Sequence, residues 1–107
     1  MNLETKVKQI LNDLNIKISQ KGYTYWVDAV KYVIENDITF YSMTKEIYPK
    51  IAEKYNDVAH RVERALRHAH ENKNEAIQAY FGVTYKIDNS ALLALIVDKI
   101  KIEMSEK

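Results

Sequence analysis

Ile51-Ala52-Glu53-Lys54-Tyr55-Asn56-Asp57-Val58-Ala59-His60-Arg61-Val62-Glu63-Arg64-Ala65-Leu66 is the stretch on which the fold turns. Apolar Ile51 and Ala52 close one helical stripe, Asn56 and Asp57 are suited to a tight turn and to capping the next helix, and Val58, Val62 and Leu66 open a second stripe. Small residues let two helices cross closely, and apolar residues on the second pack into the angle between them, which is the spacing of a helix-turn-helix. At about 100° per residue, with Arg61 at zero, Val58, Ala59, Val62, Ala65, Leu66 and Ala69 fall between about 40° and 160°. His60, Arg64, Arg67 and His68 fall between about 240° and 340°, with Arg61 closing that arc and Glu63 on its flank at about 200°. An apolar stripe thus opposes a row of three guanidiniums and two imidazoles. An ordinary solvated surface helix also shows such a face, so periodicity alone leaves both readings open.

Outward from this stretch the helical period continues. Leu3, Val7, Ile10, Leu11 and Leu14 define a first helix, and after Gly22 the residues Tyr23, Trp26, Val27, Val30 and Ile34 define a second. Thr44 leads into Ile47, Tyr48, Ile51, Ala52 and Tyr55, where Pro49 requires the helix to start or bend nearby. The helix that begins at about 58 should run to about 72, followed by a short piece over Ala76–Phe81 closed by Gly82. Val83–Ile87 fits either an extended connection or a strand. Asn89 or Ser90 caps a last helix with Leu92, Leu93, Leu95, Ile96, Val97, Ile100 and Ile102 on a wide apolar arc. The expected fold is all-α, a compact bundle of about six helices containing a helix-turn-helix, in a single domain over 1–107 with its turn near 56–58.

Composition narrows the function. The 107 residues include two Gly, one Pro and no Cys, which excludes a Gly-rich phosphate cradle, a disulfide frame and Cys-ligated zinc. No apolar run approaches the roughly 20 residues needed to span a bilayer, so a soluble, cytoplasmic chain with no membrane partner is expected. The net charge is +1; residues 42–73 carry seven Lys and Arg against five Asp and Glu, and the remainder nine against ten. A polyanion site would therefore have to be local. His68 and His70 point about 160° apart on a helix, which argues against a shared metal. No nucleophile stands beside a base and no carboxylate pair marks a cleft, so neither an enzyme nor a cofactor is expected. Tyr23, Trp26, Tyr48 and Tyr55 fall on apolar stripes and are expected in the core rather than as base-stacking platforms.

The run Arg61-Val62-Glu63-Arg64-Ala65-Leu66-Arg67-His68-Ala69 closely resembles the recognition-helix signature of the C-terminal effector domain of the stage-zero sporulation response regulator, Spo-zero-A. Lys21-Gly22-Tyr23-x-Tyr25, Met43-Thr44-Lys45-x-Ile47-Tyr48-Pro49-x-Ile51-Ala52-x-Lys54-Tyr55-Asn56, Phe81-Gly82 and Val97-Asp98-Lys99 resemble that family in the same order. The resemblance covers about Val7 to Glu103. It implies a transcription regulator of sporulation that binds double-stranded DNA, with Glu63, Arg64 and Arg67 reading bases and Thr44, Lys45, Arg61 and His68 on the backbone. It also implies homodimers on tandem sites and a contact with RNA polymerase. No phosphoaccepting receiver domain is expected within the 107 residues. At the turn, Asp57, Val58, Ala59 and His60 replace the family's Thr and Ser residues. An alternative is a stand-alone interaction module that pairs with a full-length regulator and has little DNA affinity.

Overall fold

A computed structural model describes residues 2–105. The chain forms α1 (Leu3–Asp13), α2 (Lys21–Glu35), α3 (Tyr48–Tyr55), α4 (Ala59–His68), α5 (Asn74–Phe81) and α6 (Asn89–Ser105). A π turn over Met43–Ile47 runs into α3, and a 3-10 turn over Glu71–Lys73 separates α4 from α5. The all-α expectation holds, since the described residues contain no strand. Val83–Ile87 resolves as an irregular connection. Its polar backbone is met by side chains instead of a neighbouring strand: Gln78 Nε2 donates to the carbonyls of Thr84 (3.1 Å) and Tyr85 (2.8 Å), and the Ile87 N–H donates to Asn74 Oδ1 (2.8 Å).

Side-chain caps start α1, the π turn and α6, whereas α2, α3, α4 and α5 begin without one. At α6 the cap is Asp88, whose Oδ1 accepts from the Ala91 N–H at 2.8 Å, and not the expected Asn89 or Ser90, because the Asn89 side chain is turned inward to His70. Asn2 Oδ1 accepts from the Thr5 N–H at 2.8 Å to begin α1, and Ser42 Oγ accepts from the Lys45 N–H at 3.1 Å to begin the π turn. Pro49 sits in the first turn of α3, where its missing N–H costs no helical bond, and the widened turn before it takes up the bend.

The core is one contiguous cluster with α2 at its centre. Trp26 is fully buried there, and its indole N–H donates to the Leu66 carbonyl of α4 at 3.0 Å. Val7, Ile10 and Leu11 of α1 close one side, and Leu92, Leu93, Ile96, Val97 and Ile100 of α6 close another. Gly22 brings α2 against α4: a Cβ on Gly22 would lie 2.3 Å from the Ala65 carbonyl oxygen and 3.0 Å from the Ala69 Cβ.

Several sequence expectations need correction. Tyr55 is exposed and Tyr48 only half-buried, because their hydroxyls reach polar partners at the rim of the core. Val58 and Ala59 are exposed. Val58 has an extended backbone (φ −117°, ψ 150°) just before α4, so the helical period does not yet apply to it. Ile102 is also exposed, on the last turn of α6 beyond Ile100.

Candidate nucleic-acid interface

The turn between α3 and α4 is built by two adjacent residues. Asn56 takes the left-handed conformation (φ 52°, ψ 46°) that Asn tolerates better than most L-residues, and the Asp57 N–H closes back on the Ala52 carbonyl at 2.9 Å. Asp57 does not occupy the capping position of α4, which falls to Val58 with no side-chain cap. Its carboxylate instead pins the turn. Oδ1 accepts from the Val58 N–H (2.8 Å), while Oδ2 accepts from the Tyr25 hydroxyl (2.6 Å) and sits 3.2 Å from Lys21 Nζ. The Tyr25 bond, then the Val58 N–H and Lys21, hold the Asp57 carboxyl down at about 2. Burial, reinforced by the Asp57 charge, pushes the Tyr25 hydroxyl up to about 12.

α2 therefore fixes α4 at three levels: Gly22 beneath Ala65, Tyr25 on the turn and Trp26 on the Leu66 carbonyl. It also grips α3 through Asp28, which accepts from Lys54 Nζ (3.1 Å) and from the Tyr55 hydroxyl. Periodicity assigns no role to Tyr25 or Asp28, because neither long-range pairing has a signal in local spacing.

On this platform α4 buries Val62 and Leu66, with Ala69 just beyond its end, and turns Arg61, Arg64, His60 and His68 to solvent. Neither Arg61 nor Arg64 forms an ion pair among the described residues. Glu63 and Arg67 are half-buried and joined to each other. Arg67 Nε lies 2.9 Å from Glu63 Oε2, and Nη1 lies 3.0 Å from Glu71 Oε2. The two carboxylates, Glu63 first, raise the Arg67 pKa further, so its charge is fixed. Glu71 also approaches His68 Nε2, at 3.6 Å. The i,i+4 spacing of 63, 67 and 71 carries this ladder in the sequence, whereas the family resemblance treats Glu63 and Arg67 as separate contacts.

The helix expected over about 58–72 is shorter, 59–68, because the chain turns at Ala69-His70 to bury His70. Asn89 Nδ2 donates to the Glu63 carbonyl (3.2 Å) and the Tyr48 hydroxyl (3.1 Å), so its Oδ1 faces His70 Nε2 at 2.7 Å as an acceptor. The hydrogen is thus on Nε2. Burial lowers the His70 pKa, and Nδ1 is buried without a partner among the described residues. This junction ties α3, α4 and α6 together behind the Glu63 side of α4, and no local pattern in the sequence signals it.

The two flanks of the outward face differ. On one, Met43, Tyr48, Glu63, Arg67, His70 and Asn89 border a cleft of about 550 Å³, and exposed Thr44 and Lys45 follow Met43 on the π turn. On the other, Arg61, Arg64 and His68 line a surface notch of about 370 Å³ with Gln20, Lys21 and Gly22. Of the seven residues expected at the site, Arg61, Glu63, Arg64, Arg67 and His68 thus lie on α4, divided between its two flanks, while Thr44 and Lys45 lie on the π turn. No helix among the described residues is long and apolar enough to cross a membrane.

The family model for the sporulation initiation factor Spo0A C terminal matches residues 7–100, a span that contains α2, the turn and α4, and the chain belongs to that family. It is a family of DNA-binding regulatory domains of transcription in sporulation and not a family of enzymes.

Proposed function

We propose that this member of the Spo0A C-terminal family binds double-stranded DNA sequence-specifically, through a helix-turn-helix made of α3, the Asn56-Asp57 turn and α4. One observation supports the reading: Arg61 and Arg64 stand unpaired among the described residues, on the solvent face of a helix whose opposite face is locked into the core. A guanidinium fork suits guanine O6 and N7, and a carboxylate suits the cytosine amino group. Arg64, Arg67 and Glu63 read bases, while Thr44, Lys45, Arg61 and His68 steady the phosphate backbone. Two chains on tandem sites and a contact with RNA polymerase complete the proposal.

The test begins with selection of bound sequences from a random duplex pool, followed by titration of the preferred site against wild type and Arg64→Ala. The substitution should cost about 1 to 3 kcal/mol on that site and relax preference at one base pair. Unchanged affinity and selectivity would refute the base-reading role.

A second reading draws on the Glu63-Arg67-Glu71 ladder, which neutralises part of the face and leaves fewer free cations for DNA. On it, the chain pairs with a full-length regulator and has little DNA affinity. A salt titration decides, because each phosphate contact steepens the fall of log affinity with log salt by about 0.9. Negligible DNA binding at low salt with a stable protein complex would favour this second reading.

A further inference from the structure

Lys21, the first residue of the Lys21-Gly22-Tyr23-x-Tyr25 motif, stands at the edge of the DNA-facing surface. It lines the notch beside α4 together with Arg61, Arg64 and His68. Its side chain is 66% exposed and its ammonium is held 3.2 Å from Asp57 Oδ2, so the charge is tethered at the turn yet open to solvent. Asp57 and Glu71 are the carboxylates paired with this group, the first with Lys21 and the second with His68. Arg61 and Arg64 keep their charge unpaired among the described residues. The notch is therefore a cationic recess formed jointly by the start of α2 and the flank of α4, with Gly22 letting the two helices close around it.

Its position decides what it can hold. Met43 borders the cleft on the other flank of α4, with Glu63 and Arg67, and exposed Thr44 and Lys45 follow it directly on the π turn. A helix lying in a major groove about 12 Å wide has one phosphate strand on each flank. We infer that the notch formed by Lys21, Arg61 and His68 seats a backbone phosphate of the strand across the groove from the one steadied by Thr44 and Lys45, with Lys21 as a phosphate-binding residue. This rests on the DNA-binding reading above. Gripping both strands sets how deep α4 sits and how it tilts, and so lets Arg64, at the rim of the same notch, meet a base edge.

The experiment uses the full 107-residue chain and the preferred duplex, comparing wild type, Lys21→Gln and Lys21→Arg over a range of salt. Lys21→Gln should weaken binding about 3- to 10-fold on preferred and unrelated duplexes alike and reduce the salt slope by about 1, while Lys21→Arg keeps both. Wild type is also titrated against duplexes in which single phosphates are replaced by neutral methylphosphonates, which needs no protein variant. Two clusters of sensitive positions are expected, one on each strand across the groove, and one of them should lose its sensitivity in Lys21→Gln. Sensitivity confined to one strand, or a Lys21→Gln protein with the wild-type slope, overturns the inference while leaving the base readers intact. A wild type with no preference among duplexes overturns the underlying reading as well. Inorganic phosphate at millimolar concentration, followed by amide NMR, separates a free-anion site from a duplex one. Saturation of the Lys21 and Arg61 signals by phosphate alone, with no methylphosphonate effect, would also count against the inference.

Discussion

Replacing Gly22 by Ala tests whether close packing of α2 sets the position of α4. The new methyl carbon would stand 2.3 Å from the Ala65 carbonyl oxygen and 3.0 Å from the Ala69 Cβ. A carbon needs about 3.3 Å from an oxygen, so the helices must part by about 1 Å or tilt, in an interior packed too densely to absorb it. The same motion stretches the 3.0 Å bond from Trp26 to the Leu66 carbonyl, one turn further along α2 and one residue further along α4. Overpacking of this kind costs about 1 to 3 kcal/mol. Against it stands the gain from replacing Gly in a helix, at most about 1 kcal/mol and smaller here because Gly22 is the second residue of α2. A net loss of about 2 kcal/mol lowers Tm by roughly 8 to 15 °C in a domain of this size. Urea unfolding followed by the fluorescence of Trp26, the sole tryptophan, and by far-UV circular dichroism should show a lower midpoint with an unchanged slope. A Gly22→Ala protein as stable as wild type would refute the close crossing, and with it the placement of the notch and of the Arg row.

The same contacts set further expectations. Stability should fall as pH drops below about 6.5: the folded His70 pKa is depressed by burial, so the unfolded chain takes up a proton that the fold excludes. Calorimetry between pH 7.5 and 5.5 should show this decline, and His70→Gln should flatten it. A separate loss should begin near pH 5 and deepen towards pH 2, because Asp57 and Glu4 are held at about 2 in the fold but take up protons around their ordinary values of 3.8 and 4.5 when unfolded. Tyr25→Phe should weaken the Asp57 share, seen as a shallower acid limb. Glu71→Gln removes the negative charge held against Nη1 of Arg67 and should leave thermal stability almost unchanged while tightening DNA binding, most strongly at the base pair proposed for Arg67. Equal tightening on every sequence would mean that Glu71 acts only as a repelling charge.

The sequence is legible wherever one helix decides its own geometry. The α4 faces follow from a period of 3.6, and Val62, Leu66 and Ala69 are buried while Arg61 and Arg64 are exposed, as that period requires. Its limits are less legible: Val58 belongs to the turn, and Ala69 and His70 leave the helix because burial of His70 against Asn89 outweighs one more helical turn. Tyr55 shows a similar limit, since its place on an apolar stripe says nothing of the hydroxyl partner, Asp28, twenty-seven residues earlier. What spacing cannot reveal are pairings between distant elements: Tyr25 with Asp57, Trp26 with the Leu66 carbonyl, and Asn89 with Tyr48 and the Glu63 carbonyl. Each depends on how helices cross, which the chain specifies through the shape of the whole core.

Those distant pairings also explain how a chain of net charge +1 can present a cationic face. Of the five acidic residues between 42 and 73, Asp57 is committed to Tyr25 and Lys21, Glu63 and Glu71 to Arg67, and Glu46 to the Tyr32 hydroxyl at 2.9 Å, while exposed Glu53 forms no ion pair among the described residues. Arg61 and Arg64 keep their charge unpaired among the described residues. Counting formal charges over a segment treats every carboxylate as equally able to cancel an arginine. Packing does not: a carboxylate in an ion pair cancels mainly the cation it holds, whereas one bonded to a neutral hydroxyl keeps its charge and acts on cations within about 8 to 10 Å. The field that a phosphate meets on approach is set by which cations remain unpaired and where they stand, and α2 determines both, through the turn that Asp57 pins and the crossing that Gly22 permits.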